Sequence, residues 1–213
     1  MIKKKIAHAL GVIEQAIDKY PNIAVASSFG KDSIVVLHLC QRIKHDIQVF
    51  SVMTPFKFSS TRHYKTHIEN KWGLNCATFE ALPSDINPHT SGIEKCCDYY
   101  KVDQTKRAIK ELNLDAWICG LRGTEGHTRK FLNEIEEKDG LVKINPILAF
   151  TEAEVWLYHA MYSIGVHPLY KEGYRSLGCE PCSKPDTDTE RGGRWEGTEK
   201  CGAECGIHTK NLK

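Results

Sequence analysis

The chain commits itself early. Ile23-Ala-Val-Ala-Ser27 is an apolar run that passes through Ser28-Phe-Gly30 straight into a second apolar segment with helical spacing, Ser33 to Arg42. An unbroken apolar run of strand length reads as a strand covered on both faces, and such strands sit in parallel sheets. Glycine at the junction lets the backbone turn tightly between strand and helix. The expectation is an α/β protein with a doubly wound, mostly parallel sheet.

The rest of the pattern fits. Ile2, Ile6, Leu10, Ile13 and Ile17 recur at intervals of three and four, an amphipathic helix that Pro21 ends. Further strands are expected at Ile47 to Val52, Cys76 to Phe79, Ala116 to Cys119 and Val142 to Asn145. Helices are expected from a Ser60 cap towards Trp72, from Asp98 to Leu112, and from the Thr151-Glu-Ala-Glu154 capping box to Ile164. This alternation covers both faces of a sheet.

A length of 213 residues fits one domain, or one domain with a substantial tail. After Pro168 the character changes. Residues 171–213 hold four cysteines and two prolines among many glycines, with almost no apolar periodicity. A segment of that kind cannot hold itself by core burial; a metal or ligand must fix it, or it stays mobile. The formal net charge is +2, and cations and acids balance in the tail, so no basic face points to nucleic acid. Apolar stretches such as Ile34 to Leu37 are far too short to cross a bilayer, so no membrane is expected. Lys3, Lys4 and Lys5 look like the start of a signal peptide, but Glu14 and Asp18 interrupt the apolar residues after them; a mature cytoplasmic N-terminus is expected.

Strand, then Ser27-Ser-Phe-Gly-Lys-Asp-Ser33, then helix, can hold an anion through backbone N–H groups and the helix dipole. Gly30 permits close approach, and the hydroxyls of Ser27, Ser28 and Ser33 add donors. A tight turn with a serine cap is the plain alternative. It is not the Walker loop, whose Gly-Lys-Ser/Thr ending is missing.

Nine cysteines is an odd number, and the chain is too long to need disulfide staples, so thiol or metal chemistry in a reducing compartment is expected. Cys96-Cys97 and Cys179-x-x-Cys182 form two pairs, enough for a tetrahedral zinc or an iron–sulfur cluster. Adjacent side chains diverge, which favours a 4Fe-4S cluster with its separate iron vertices. Cys40, Cys76 and Cys119 fall in apolar patterns and read as buried small hydrophobes. Cys201 and Cys205 lie in the tail beside Lys200 and His208, and a nearby cation raises the thiolate fraction of a thiol. The plain alternative is a disordered end with two spare thiols.

The loop resembles the PP-loop of adenine-nucleotide alpha hydrolases, ATP sulfurylase small subunits and sulfonucleotide reductases. Further motifs narrow the resemblance to the sulfonucleotide reductases. Cys96-Cys-Asp-Tyr-Tyr-Lys101-Val looks like their Cys-Cys-x-x-Arg-Lys-Val segment, and Gly178-Cys-Glu-Pro-Cys-Ser183 like their second cluster pair. Gly120-Leu-Arg-Gly-Thr-Glu-Gly-His-Thr-Arg129, Arg191-Gly-Gly-Arg-Trp195 and Glu204-Cys-Gly-Ile-His208 are similar to three further family segments, in the same order.

That resemblance implies residues 1–170 as a PP-loop nucleotide-binding domain and 171–213 as the cluster-ligating and catalytic segment of the same domain. Cys96, Cys97, Cys179 and Cys182 would hold the cluster. Ser27, Ser28, Gly30, Lys31, Asp32, Ser33, Lys101, Arg122, Arg191 and Arg194 would hold the nucleotide and its phosphosulfate. Cys205 would attack the sulfur of adenylyl sulfate, forming an S-sulfocysteine, with His208 as a donor or merely exposed. Thioredoxin or a similar dithiol reductant would release sulfite, and a homo-oligomer is expected. Family members with both cysteine pairs generally reduce adenylyl sulfate, and members without them use its 3′-phosphorylated form. Cys201 would either pair reversibly with Cys205 or be silent. Three departures stand out: Tyr100 replaces an arginine, Met53 replaces an acid, and Gly30-Lys-Asp-Ser33 looks more like the ATP-using members. An ATP-dependent sulfur-transfer enzyme acting on tRNA, an ATP sulfurylase partner and a cluster-bearing nucleotide sensor are the competing readings.

Overall fold

The computed structural model describes residues 1–186 and 188–213, without the side chains of His127 and Thr128. Its centre is a six-stranded sheet of β1 (Ile23–Ala26), β2 (Val49–Met53), β3 (Cys76–Glu80), β4 (Ala116–Ile118), β5 (Ile135–Lys138) and β6 (Leu141–Ile144), in the order β3-β2-β1-β4-β6-β5. Every neighbouring pair is parallel except β5 with β6. The register is set by the apolar strands: Ala24 lies opposite Trp117, and Val25 opposite both Val49 and Ile118.

Alternate side chains feed two cores, as a sheet covered on both faces requires. On one face Val25, Val49, Ala116, Ile118 and Ile144 pack under α1 (Ile2–Lys19), α2 (Lys31–Ile43), α3 (Ser59–Trp72) and α6 (Glu152–Met161). On the other, Ala24, Phe50, Trp117 and Leu141 pack under α5 (Asp103–Glu111) and, from the tail, Leu212. In α1 the fully buried line is Ile6, Ala9, Ile13 and Ala16, while Leu10 and Ile17 are only partly covered. The two alanines let α1 lie close against α2.

The departures from the sequence pattern have local causes. No apolar signal announces β5, because Ile135-Glu-Glu-Lys138 is a charged, largely exposed antiparallel edge. No Ser60 cap forms: α3 starts at Ser59, with Phe58 as an N-cap that makes no side-chain bond. The helix expected from Asp98 begins earlier, as α4 (Ile93–Cys97), and passes through a π-helical turn at Asp98–Val102 before α5. Such turns insert one extra residue and are common at functional sites. The capping box is present: Glu154 N–H donates to Thr151 Oγ1 at 3.2 Å, and Thr151 N–H to Glu154 Oε2 at 2.8 Å.

One glycine is required by a close approach. A Cβ on Gly120, just past β4, would lie 2.9 Å from the backbone of Asp32 and Ser33 in the first turn of α2. Among the described residues no helix is long and apolar enough to cross a membrane.

Candidate active site

In a doubly wound sheet, the crevice opens beyond the carboxyl ends of the strands, where the strand order reverses. Here that point lies between β1 and β4, and a cavity of about 200 Å³ occupies it. The loop after β1 forms its floor. Phe29 is fully buried at φ 59°, a left-handed conformation unusual for an aromatic residue. Its N–H donates to Ser27 Oγ at 3.2 Å, and Ser33 Oγ donates to the Gly30 carbonyl at 3.0 Å, 3.3 Å from Ser28 Oγ. Helix α2 begins with Ile34 N–H on the same carbonyl. The loop is thus held by its own hydroxyls.

Of the residues expected to hold a nucleotide, Ser27, Ser28, Gly30, Lys31, Asp32, Ser33, Lys101, Arg191 and Arg194 line the cavity, as do Cys205 and His208. Arg122 does not. It is fully buried behind the wall, bonded through Nε to Asp32 at 2.5 Å and through Nη2 to Glu190. Lys31 is buried too: its Nζ donates to the Arg175 carbonyl at 2.5 Å and pairs with Glu190 at 2.9 Å. Burial alone would lower the Lys31 pKa, but Asp32, Tyr170 and Glu190 raise it well above the usual lysine range. Arg191 faces Glu125 at 3.3 Å and Glu204 at 3.4 Å. The tail's own carboxylates therefore neutralise several cations of the wall.

Sequence reasoning missed these counter-ions and Arg129. Arg129 pairs with Glu125, and with Glu204 at 2.5 and 3.0 Å. Despite burial, which works against ionisation, these arginines hold the carboxyls of Glu125 and Glu204 down at about 2. Apart from Glu125 and Arg129, four residues apart, the partners lie far apart in sequence, and no local pattern announces them.

A second group of cations is differently placed. Lys57, Lys101 and Arg194 share an environment with the thiols of Cys179 and Cys205. Lys57 follows β2 and has no motif to single it out in the sequence; burial, with Lys101 and Arg194 nearby, pushes its pKa down to about 8. Lys101, in the π-helical turn, is driven the other way: burial would lower it, but Cys179, Cys205 and Cys97 raise it. Arg194 lies 4.6 Å over the Trp195 ring, and its Nε has no hydrogen-bond partner among the described residues. Its guanidinium lies flat against Gly178, where any Cβ would overlap it. Trp195 itself is buried at φ 57°.

The four paired cysteines come together. Cys96 and Cys97 end α4, and Cys179 and Cys182 bracket a short turn whose Cys182 N–H donates to the Cys179 carbonyl at 3.0 Å. All four are buried, and Cys97, Cys179 and Cys182 pack with Ile93 and Trp195, against which Cys205 also packs. The turn is fastened to the strand side by an isolated bridge between Lys57 and Cys179. Burial would raise the Cys179 thiol, but Lys101, Lys57, the Thr54 hydroxyl at 3.2 Å and Arg194 draw it down to about 7. Among the described residues, the only His/Cys/Asp/Glu group with ligand atoms within 4.8 Å of one another is Asp32, Glu125 and Glu190. The cysteine sulfurs are not such a group. Four wider-spaced thiols beside buried cations suit an anionic cluster. They fit a 4Fe-4S group.

The remaining thiols divide as expected. Cys40 and Cys119 are buried and Cys76 half-buried, and burial pushes the latter two up to about 12. Cys201 is exposed, and Cys205 is half-buried at the head of α7 (Gly206–Thr209). His208 does not supply the cation expected beside Cys205. It is half-buried, stacked on Trp117 at 6.2 Å, and burial of its ring nitrogen with Arg129 nearby holds its pKa at about 3, so the ring is neutral. Lys57, Lys101 and Arg194 are the cations in that place.

Comparison with known proteins gives a consistent picture. Residues 22–185 match the family described as the phosphoadenosine phosphosulfate reductase domain. The chain is 32% identical over 197 residues to a phosphoadenosine 5′-phosphosulfate reductase of Xylella fastidiosa, covering 87% of this chain and 82% of the relative. It is also 32% identical over 216 residues to an adenosine 5′-phosphosulfate reductase of Mesorhizobium japonicum, covering 96% of this chain and 84% of that one. The fold is similar to the crystal structure of a phosphoadenylyl-sulfate reductase from Candida auris, with TM-score 0.71 at 22% identity, over 81% of this chain and 88% of the other.

Proposed function

The chain belongs to the phosphoadenosine phosphosulfate reductase domain family, and on that premise we propose that it reduces adenylyl sulfate to sulfite and AMP through a sulfonated cysteine. As a sulfonucleotide reductase it acts on adenylyl sulfate or its 3′-phosphorylated form. The observation that carries the choice of the first is the buried cysteine quartet beside Lys101. By the family resemblance, members with both cysteine pairs generally reduce adenylyl sulfate.

The cavity has two chemically distinct halves. Phe50, Val52, Trp117 and Leu121 make an apolar wall that suits the adenosine. Ser28, Gly30 and the start of α2 suit the α-phosphate, with Ser27 and Ser33 fixing the loop. Lys57, Lys101 and Arg194 would receive the sulfonyl oxygens, and Lys31, Asp32, Arg122 and Arg191 would brace the wall through their ion pairs.

The chemistry asks for this arrangement. A thiolate approaching the phosphosulfate meets several anionic oxygens, and fixed cations must offset that repulsion and the charge growing on the leaving phosphate. The Cys205 thiolate attacks sulfur; an S–S bond forms, the S–O bond breaks, and AMP leaves. Arg194 brings a planar fork suited to oxyanions. We assign His208 a positioning role, holding the turn after Cys205 against Trp117. Cys96, Cys97, Cys179 and Cys182 would hold a 4Fe-4S cluster, which when bound would tie α4 to the tail and set an anionic charge beside Lys101. A dithiol reductant of the thioredoxin class would complete the turnover in a reducing cytoplasm.

The direct test is sulfite release from adenylyl sulfate and, separately, from its 3′-phosphorylated form, with thioredoxin as reductant. Adenylyl sulfate is expected to be turned over faster, and Cys205→Ser to abolish release from it while nucleotide binding persists. Preference for the 3′-phosphorylated form would move the substrate to the one named for the Xylella relative. Full activity in Cys205→Ser would move the chemistry to another residue.

A further inference from the structure

Outside the cysteine quartet, the tail carries two further thiols, Cys201 and Cys205, one exposed and one half-buried. They are four residues apart in one loop, and the structure separates them. Cys205 lines the cavity and packs beside Cys97, Cys179, Cys182 and Trp195. Cys201 is exposed and takes no part in the cavity wall. We propose that Cys201 is a second catalytic thiol, which attacks the sulfonated Cys205 in the same chain, expels sulfite, and leaves a Cys201–Cys205 disulfide for the external reductant. This rests on the reading of Cys205 given above.

The loop is built for such a closure. Ala203 N–H donates to the Lys200 carbonyl at 3.0 Å, so Lys200–Ala203 is a β-turn with Cys201 and Gly202 at its centre. Gly202 has φ +78°, the value its position in a type II turn demands, and nothing lies within 4 Å of where its Cβ would be. The turn therefore projects into open space. Both flanks are fixed. Before it, Trp195 is buried and Lys200 lies over the Trp195 ring at 5.5 Å. After it, a Cβ on Gly206 would already lie 2.9 Å from Val102, so α7 sits hard against the π-helical turn. Between the flanks, residues 201–203 are exposed, and the Glu204 carboxylate is held by Arg129, Arg191 and the Cys205 N–H.

A disulfide needs its two Cα atoms within roughly 4.4 to 6.8 Å, well inside the reach of three intervening residues. Ring closure over so short a loop gives an attacking thiol a very high effective concentration. The atoms and electrons balance. Cys201 loses its proton to solvent and its thiolate attacks the Cys205 sulfur. The S–S bond between the two cysteines forms as the bond from Cys205 to the sulfonate breaks, and sulfite leaves with that electron pair. A dithiol then reduces the disulfide. The gain is one of access, since a protein reductant can reach a disulfide drawn out to the exposed turn more readily than an adduct enclosed by Lys57, Lys101 and Arg194.

The test is an anaerobic single turnover without reductant, on the cluster-loaded full chain, with adenylyl sulfate, its 3′-phosphorylated form, or AMP as the blank. Trypsin places both cysteines in the peptide 201–210. The wild type is expected to release one sulfite per chain with either substrate it accepts, and its peptide to become two hydrogens lighter and resist alkylation. The Cys201→Ser chain is expected to release none until a dithiol is added, its peptide carrying one added SO3 group instead. The proposal is overturned if the wild-type peptide keeps a stable SO3 adduct and Cys201→Ser behaves alike. If neither chain acquires an adduct or a disulfide with either nucleotide, the reductase reading of Cys205 fails first and this step with it.

Discussion

Gly178→Ala isolates the contribution of one guanidinium. The substitution adds a single methyl group at a residue whose backbone is not in the left-handed region, so the main chain itself is unopposed. The methyl meets the Arg194 guanidinium, the movable end of a long side chain. Arg194 must therefore leave its seat over Trp195 and its place beside Cys205 while the fold survives. Loss of the cation–π contact costs about 0.5–2 kcal/mol of stability. Loss of a charge-assisted hydrogen bond to the substrate's oxyanion costs about 1.5–3 kcal/mol. At about 1.4 kcal/mol per decade, the second figure lowers kcat/KM by roughly 10- to 100-fold. Initial rates of sulfite release should show that fall, while the melting temperature drops by only about 1–8 °C for a chain of this size. Iron content must stay at the wild-type level, since Cys179 is the next residue. An unchanged kcat/KM in a folded, iron-replete variant would refute the placement of Arg194 at the reacting sulfonyl group.

Three other outcomes are expected. Anaerobically purified wild type should be brown and hold iron, and Cys182→Ser should lose both; zinc alone in the wild type would end the cluster assignment. Gly120→Ala should destabilise the chain by about 1–3 kcal/mol in urea titrations, since its Cβ, unlike that of Gly178, meets unyielding backbone 2.9 Å away. His167 is buried and neutral, its Nδ1 accepting from Leu169 N–H and its Nε2 facing the Thr61 hydroxyl at 3.0 Å; burial, and then Lys57, hold its pKa at about 4. Below about pH 6.5 the unfolded chain takes up a proton that the folded chain refuses until about pH 4, so stability falls across that window by at most about 3 kcal/mol. The decline should be shallower in His167→Gln, and equal slopes in the two chains would contradict it.

How far the sequence carried depended on whether a feature is local. The apolar runs at Ile23, Val49 and Ala116 show themselves in their own residues, and the sheet follows from them. Edge strand Ile135–Lys138 carries no such signal, because one side of it faces solvent and its residues are charged. Arg191 and Arg194 stood out only through the family resemblance, whereas the paired cysteines were legible from spacing. Lys57 was not, for a lone lysine after a strand is usually a solvated one, and only the folded chain sets it beside Cys179. The neutrality of His208 was not legible either: three residues after Cys205, its ring stacks on Trp117. The carboxylates of Glu125, Glu190 and Glu204 find their partners across up to 75 residues, at distances that no pattern in the chain encodes.

Leu212 packs among Trp117, Leu141 and Ile109 in the second core, while Trp195 is buried on the far side of Cys205. The reactive stretch is thus a hammock slung between two buried knots, each worth about 1.5–3 kcal/mol of apolar burial. An affinity handle fused after Lys213 would tug on the nearer knot and slacken the span. A handle before Met1, which is 95% exposed, would leave it taut, and comparing the kinetics of the two fusions measures how much tension the sulfur chemistry needs.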